Sequence, residues 1–266
     1  QVADIEFSES YDDIAAVQRF ASGVDVVTFE FENVSATALD SLEGLVPVRP
    51  GGQVLRTAQN RLREKTFLRD AGIPVAPFRR ISTAADIDEA IAADDFPAVL
   101  KTAASGYDGK GQVRVDSSEQ LEPAWSAIDK NDAILERFID FEMELSVVAT
   151  RGVDGEFAAY EPIGNEHKNH ILDISICPAK LPEKVARDAI EITRTICHAL
   201  DVVGVMCVEF FLTAEGGLLV NELAPRPHNS GHLTVDAHTT CQFEQQVRAV
   251  CGLPLGSTQQ LRAAAM

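Results

Sequence analysis

Glu209 is the one charged residue in an otherwise apolar run, Val202–Leu212. An ionised carboxylate placed there costs several kcal/mol unless a cation or a metal answers it. A turn signal at Glu215-Gly216 folds the run back on Leu218–Glu222. A hairpin centred on those two residues sets Glu209 opposite Glu222 on one face, with Cβ atoms roughly 5 Å apart. Two carboxylates that close repel unless a divalent cation lies between them. Hard oxygen ligands suit Mg²⁺, which bridges carboxylates and nucleotide phosphates. One salt-bridged and one exposed glutamate would also satisfy the pattern, although Arg226 is the only basic residue nearby in the chain.

A second candidate is Ser105-Gly106-Tyr107-Asp108-Gly109-Lys110-Gly111-Gln112. Three glycines in six residues let backbone N–H groups wrap an anion, and Lys110 adds charge. It is not a Walker A loop, because Gly111 stands where Ser or Thr is needed and a strand follows instead of a helix. A plain hairpin loop is the simpler alternative. Lys101 ends the preceding strand, where it either reaches into a cleft or snorkels to the surface. A third candidate, Asn221 to His232, crowds Asn221, Glu222, Arg226, His228, Asn229, Ser230 and His232 into twelve residues. Prolines on both sides of Arg226 suggest a preorganised anion clamp. Zinc on His228 and His232 is disfavoured, because no third ligand has matching spacing.

Positioning these groups takes an α+β arrangement with hairpins and helices. A buried strand is expected at Val24–Phe31, turning acidic at Glu30 and Glu32. A helix is expected from about Val54 to Ala71, stopped by Gly72 and Pro74. A short strand and a helix with a Thr83/Asp86 capping pair follow. Next come strands at Ala98–Lys101, Gln112–Val115 and Ala133–Phe138, and a hairpin through Asp154-Gly155. Pro182 opens a helix with apolar positions Val185, Ala189, Ile192, Ile196 and Leu200. A last helix lies near Thr239–Cys251.

The 266 residues carry 23 Lys plus Arg against 41 Asp plus Glu, a formal charge of −18. Such a surface repels phosphate backbones and anionic lipid, which argues against nucleic-acid or membrane partners. Five cysteines without a C-x-x-C pair fit a reduced, cytoplasmic setting and not a disulfide framework.

In order along the chain, DVVTFEFENV (25–34), AQNRLREKTFLRDAGIPVAPF (58–78), PAVLKT (97–102), GYDGKGQ (106–112), ILERFIDFEMELSVV (134–148), NEHKNHILDISICPA (165–179), VGVMCVEFF (203–211), NELAPRPHNSGH (221–232) and QFEQQVRAVCGLPLG (242–256) resemble the ATP-grasp superfamily. Within it they resemble the 5-(carboxyamino)imidazole ribonucleotide synthases. The resemblance implies an ATP-grasp fold, with ATP between two α+β lobes and a remnant of an α/β pre-ATP-grasp domain before it. The implied divisions are residues 1–50, an ATP-grasp domain at 51–256 with a lid at about 74–135, and a tail at 257–266. The family has a glycine-rich turn before the equivalent of Gln1 and a small domain after LPLG, so both ends are expected to be truncated.

Implied roles follow residue by residue. Arg61 and Lys101 hold phosphates, and Gly106, Tyr107, Asp108, Gly109, Lys110, Gly111 and Gln112 close over them. Glu136 meets the adenine, Glu144 the ribose and His167 the phosphate region. Glu209 and Glu222 carry Mg²⁺ with Asn221 beside them. Tyr107 and Asp108 approach the aminoimidazole ribonucleotide, and Arg226 and His228 lie near bicarbonate. The implied catalytic group is Lys101, Arg226, His228 and Asp108. The implied chemistry is attack of bicarbonate on the γ-phosphate, then carboxylation of the ribonucleotide amine. A homodimer is also implied.

Overall fold

The computed structural model describes residues 3–104 and 111–266. Helices α1 (Ile14–Ala21) and α2 (Ala36–Asp40) are capped by Asp13 and Ser35, whose side chains accept the Ala16 and Ala38 N–H groups. The strand expected at Val24–Phe31 is reduced to a single parallel bridge between Val27 and Val48. Alternation survives without a ladder: Val27 packs with Leu42 and Val46, and Phe29 packs with Leu39 and Leu55.

The helix expected over 54–71 is two helices, α3 (Gly52–Ala58) and α4 (Arg61–Asp70). The break falls at Gln59-Asn60, because both side chains bond backbone. Asn60 caps α4 by accepting the Arg63 N–H, and Gln59 Nε2 donates to the Glu32 and Val34 carbonyls.

A small lobe follows: β1 (Phe78–Ile81), α5 (Ala84–Ala92), β2 (Ala98–Thr102), β3 (Gln112–Val115), α6 (Leu121–Ala127) and β4 (Ala133–Arg137). Its antiparallel sheet runs β1-β4-β2-β3. The Thr83/Asp86 capping box on α5 forms as the sequence predicts. Ile81, Leu100, Val115, Leu121, Trp125 and Leu135 make its core.

The large lobe contains β5 (Phe141–Arg151), β6 (Phe157–Ala159), β7 (Ile163–Lys168), β8 (Ile171–Cys177), α7 (Glu183–Ala199), β9 (Gly204–Thr213) and β10 (Leu218–Ala224). A 3₁₀ turn at Asn229–Leu233, α8 (Thr234–Ala237), α9 (Gln242–Val250) and β11 (Ala264–Ala265) complete it. The sheet order is β10-β9-β5-β7-β8-β11, with β6 on β5.

The period of two in β9 divides the sheet's two faces. Met206, Val208, Phe210 and Leu212 join Leu145 and Val147 in the core that buries α7 through Val185, Ala189, Ile196 and Leu200. Each fully buried large apolar side chain contributes roughly 1.5–3 kcal/mol. On the other face Val205 and Cys207 meet Ile163, Ala224 and Leu233 in a smaller core, beyond which the face turns polar. Helix α9 ties this lobe to the N-terminal residues. Gln246 accepts the Val205 N–H at 2.6 Å and donates to Thr28 Oγ1 at 3.0 Å, while Arg49 Nη1 donates to the Val250 carbonyl at 2.6 Å.

Candidate active site

Glu209 and Glu222 face each other across β9 and β10, as the hairpin argument requires, but by a different route. The loop is three residues, Ala214 to Gly216, closed by Thr213 N–H to the Gly217 carbonyl at 2.9 Å. Gly216 takes φ 81°, the left-handed conformation that such loops need. The centre is therefore Glu215 alone, and Leu218, Leu219 and Val220 pair with Leu212, Phe211 and Phe210. That register is one residue away from the reading centred on Glu215-Gly216. A bulge at Asn221 absorbs the difference and brings Glu222 opposite Glu209.

Helix α4 reaches this bulge with two buried ionisable side chains. Lys65 Nζ donates to the Val220 carbonyl at 3.0 Å and the Asn221 carbonyl at 2.8 Å, and Glu64 Oε2 accepts the Leu223 N–H at 3.1 Å. Lys65 also stands 3.6 Å from Glu136 Oε1, whose other oxygen is 2.6 Å from Lys101 Nζ. Burial alone would raise the Glu136 carboxyl, but Lys65 and then Lys101 outweigh it and hold it at about 2. Burial lifts Glu64 to about 8 despite Lys65. Arg61, at the start of α4, donates through Nη1 to the Thr102 carbonyl at 2.9 Å, and its N–H bonds the Ala103 carbonyl. Lys101 does not snorkel to the surface: its side chain is 17% exposed and its ammonium pairs with the buried Glu136.

On the polar face, His228 Nε2 is 3.2 Å from Glu209 Oε1. Burial works against a charge on His228, but the neighbouring Cys207 and Glu209 raise its pKa well above the ordinary imidazole value. His228 and its neighbours hold Glu209 low in turn, against the cost of burial. The ring is fixed from behind by a buried chain of hydrogen bonds. His228 Nδ1 meets Ser230 Oγ at 2.9 Å, Ser230 Oγ meets Ser146 Oγ at 2.8 Å, and Asn165 Nδ2 donates to Ser146 Oγ at 3.0 Å. Ser175 Oγ donates to Asn165 Oδ1 at 2.9 Å and sets the amide's direction. Gln242 grips the His228 backbone at both its N–H and its carbonyl. Beside this chain, His167 Nδ1 and Glu144 Oε2 are 2.8 Å apart, and that bond raises the His167 pKa.

Arg226 Nε lies 3.0 Å from Glu32 Oε1, so the proposed anion clamp is tied to the acidic turn near the N-terminus. Burial raises the Glu32 pKa despite Arg226. Glu32, Asn33, Gln59, Arg61, Glu64 and Glu222 line one small cleft. Gly106, Tyr107, Asp108, Gly109 and Lys110 lie outside the described residues, as does Ser105. Gly111, at φ 72°, accepts the Thr102 N–H through its carbonyl. Gln112 Nε2 is 3.3 Å from His170 Nδ1 on the β7–β8 turn, which links the small lobe to the large one.

The structure thus joins Glu136 and the Asn221 backbone to Lys65, brings Lys101 to Glu136, sets Glu222 opposite Glu209, and places His228 on Glu209 near the His167–Glu144 pair. The sequence singles out Ser230 within the Asn221–His232 cluster, but not Lys65, Glu64, Ser146, Asn165 or Ser175. A signal for Lys65 and Glu64 was present, since Glu64 and Lys65 share a helix face with the buried Leu68 at spacings of four and three. Two facing carboxylates form a hard-oxygen donor set suited to a divalent ion, and Glu222 makes no ion pair among the described residues. No group of three His, Cys, Asp or Glu able to hold a metal occurs among the described residues, so the remaining ligands would come from nucleotide and water.

Two family models match the chain: an ATP-grasp domain over residues 66–243 and a ribonucleotide synthetase preATP-grasp domain over residues 1–59. The N5-carboxyaminoimidazole ribonucleotide synthase of Bacillus subtilis is 43% identical over 266 residues, covering 100% of this chain and 70% of the relative. A crystal structure of an ADP complex of an N5-carboxyaminoimidazole ribonucleotide synthetase superposes with TM-score 0.95 at 44% identity, covering 100% of this chain and 70% of that one. The Aspergillus clavatus N5-carboxyaminoimidazole synthase, in complex with ADP and 5-aminoimidazole ribonucleotide, gives TM-score 0.92 at 28% identity with the same coverages.

Proposed function

Since this chain belongs to the N5-carboxyaminoimidazole ribonucleotide synthase family of ATP-grasp enzymes, we propose that it carboxylates 5-aminoimidazole ribonucleotide with ATP and bicarbonate in purine biosynthesis. It is an ATP-dependent carboxylate–amine ligase with the ATP-grasp α+β fold. Bicarbonate attacks the γ-phosphate of ATP, its oxygen forming the new P–O bond while ADP leaves. The resulting carboxyphosphate gives up phosphate as the ribonucleotide amine takes the carboxyl group. Phosphoryl transfer of this kind needs positioning and charge neutralisation above all.

The residue roles follow from that reading. Lys101, held by Glu136, and Arg61 face the phosphates; Glu136 itself lies toward the adenine side. Glu144 takes the ribose and His167 the phosphate region. Gly106–Gln112 closes over the nucleotide, with Tyr107 and Asp108 toward the ribonucleotide. Arg226 and His228 hold bicarbonate. Glu209 and Glu222, with Asn221 beside them, hold Mg²⁺, which when bound neutralises charge developing on the phosphate oxygens. Residues 1–50 act as the pre-ATP-grasp unit, 51–256 as the ATP-grasp unit with a lid at about 74–135, and 257–266 as a tail. The setting is cytoplasmic and the assembly a homodimer; no described helix is long and apolar enough to cross a membrane.

The observation that carries the site reading is the pairing of Glu209 with Glu222 across the hairpin, with His228 on Glu209. The test is release of phosphate from ATP and bicarbonate, measured with and without 5-aminoimidazole ribonucleotide. Stimulation by the ribonucleotide, with label from bicarbonate entering it, is the expected result. Nucleotide binding without turnover would refute the activity.

A further inference from the structure

Lys65 belongs to no ligand-contacting group assigned above, yet it is 1% exposed, donates two hydrogen bonds to backbone carbonyls and forms one longer ion pair. Its three partners are the Val220 carbonyl, the Asn221 carbonyl and the Glu136 carboxylate. The first two sit at the bulge that turns Glu222 to face Glu209. A bulge leaves its extra residue out of the ladder, so backbone carbonyls there need another donor. Lys65 supplies it, and Glu64 takes the Leu223 N–H on the far side of Glu222. The backbone around Glu222 is therefore gripped before and after that residue by adjacent positions of α4. The same ammonium is joined through Glu136 to Lys101 in the small lobe.

We propose that Lys65 is a positioning residue for the divalent-cation site, holding the Asn221 bulge in register and joining it to the nucleotide-side lysine. This rests on the reading of Glu209 and Glu222 as the cation ligands. Lys65 touches neither metal nor nucleotide; it acts through the backbone of residues 220 and 221 and through Glu136. Groups that orient metal ligands from behind typically change metal affinity by about 10- to 100-fold when removed.

The test is ADP binding to the whole chain by calorimetry, once with Mg²⁺ and once with EDTA, for five proteins. These are the wild type, Glu222→Gln, Lys65→Met, and Lys65→Met combined with Glu136→Gln, which leaves no unpaired buried carboxylate; Glu136→Gln alone is the reference for the last. The readout is the ratio of the two dissociation constants, the gain in ADP affinity due to Mg²⁺. Glu222→Gln is expected to abolish the gain, and loss of Lys65 to reduce it roughly tenfold or more. If Glu222→Gln loses the gain while folded Lys65 variants keep it, the positioning role is wrong and the ligand reading stands. If Glu222→Gln keeps the gain, the ligand reading fails and the proposal with it. Unfolding of both Lys65 variants, seen by circular dichroism, also overturns the proposal, since Lys65 would then serve the fold and not the cation site.

Discussion

Replacing Glu136 by Gln should be among the most destabilising single changes in the small lobe. Glu136 is 4% exposed and stands between two ammonium groups, Lys65 at 3.6 Å and Lys101 at 2.6 Å. Its carboxyl lies at about 2 in place of the ordinary 4.5. At about 1.4 kcal/mol for each tenfold in proton affinity, that difference corresponds to roughly 3 kcal/mol of folding stability. Independently, removing one partner of a buried ion pair costs about 3–5 kcal/mol, because the other charge stays buried and unanswered. Lys65 is the charge left behind. Lys101→Met should cost much less, since Glu136 keeps Lys65 and Lys101 itself reaches solvent. Trp125 is the chain's single tryptophan and sits in the same lobe's core, so its fluorescence follows urea unfolding without a label. The pH dependence has a definite sign. A depressed carboxyl contributes stability above pH 4.5 and loses it as pH falls toward about 2. Glu136→Gln should therefore flatten the acid limb of the wild-type stability curve. A shift in urea midpoint no larger than that of Lys101→Met, or an unchanged acid limb, would refute the reasoning.

Other substitutions probe the face beyond the hairpin. Glu209→Gln should cut bicarbonate-dependent phosphate release by roughly a hundredfold or more, because metal-borne charge stabilisation is worth several kcal/mol, and should lower the thermal melt as well, because His228 loses its buried partner. Ser230→Ala takes away the hydroxyl shared by His228 and Ser146, at a cost of about 1–3 kcal/mol in stability. Turnover should fall while ADP affinity in EDTA holds, and steady-state kinetics beside calorimetry would show the split. Gly111→Ala places a Cβ 2.8 Å from Thr102 Oγ1 at a residue with φ +72°, so the melting temperature should drop. The His167 pKa is raised chiefly by its bond to Glu144, which favours folding below the ordinary 6.5 and less as pH rises through the folded value. In Glu144→Gln, NMR titration of His167 should show its pKa moving down.

The chemistry of this chain was legible where a residue violated its surroundings. Glu209 in an apolar strand pointed to its partner at 222, and the capping pair on α5 and the apolar stripe of α7 formed as written. The register was reached through two compensating features, a three-residue loop and a bulge at Asn221, because a turn dipeptide does not state its loop length. The single helix expected over 54–71 was cut by Asn60, whose capping role depends on a side chain choosing backbone over solvent. Val24–Phe31 has the alternation of a strand, but a strand needs a neighbour, and only Val27 finds one among the described residues. Lys65, Ser146, Asn165 and Ser175 were hidden for a common reason. Polar residues that support others read, one at a time, as ordinary helix or strand surface.

Helix α9 has a consequence for how this protein can be dissected. One glutamine, Gln246, occupies the Val205 amide on one side and the Thr28 hydroxyl on the other, and the helix's last carbonyl residue, Val250, is held by Arg49. The stretch before residue 52 and the lobe after residue 141 are thus soldered to one shared rod. An excision made near residue 59 would take Thr28 and Arg49 away from α9, so the shortened piece should melt earlier although every proposed ligand residue from Arg61 onward is still present.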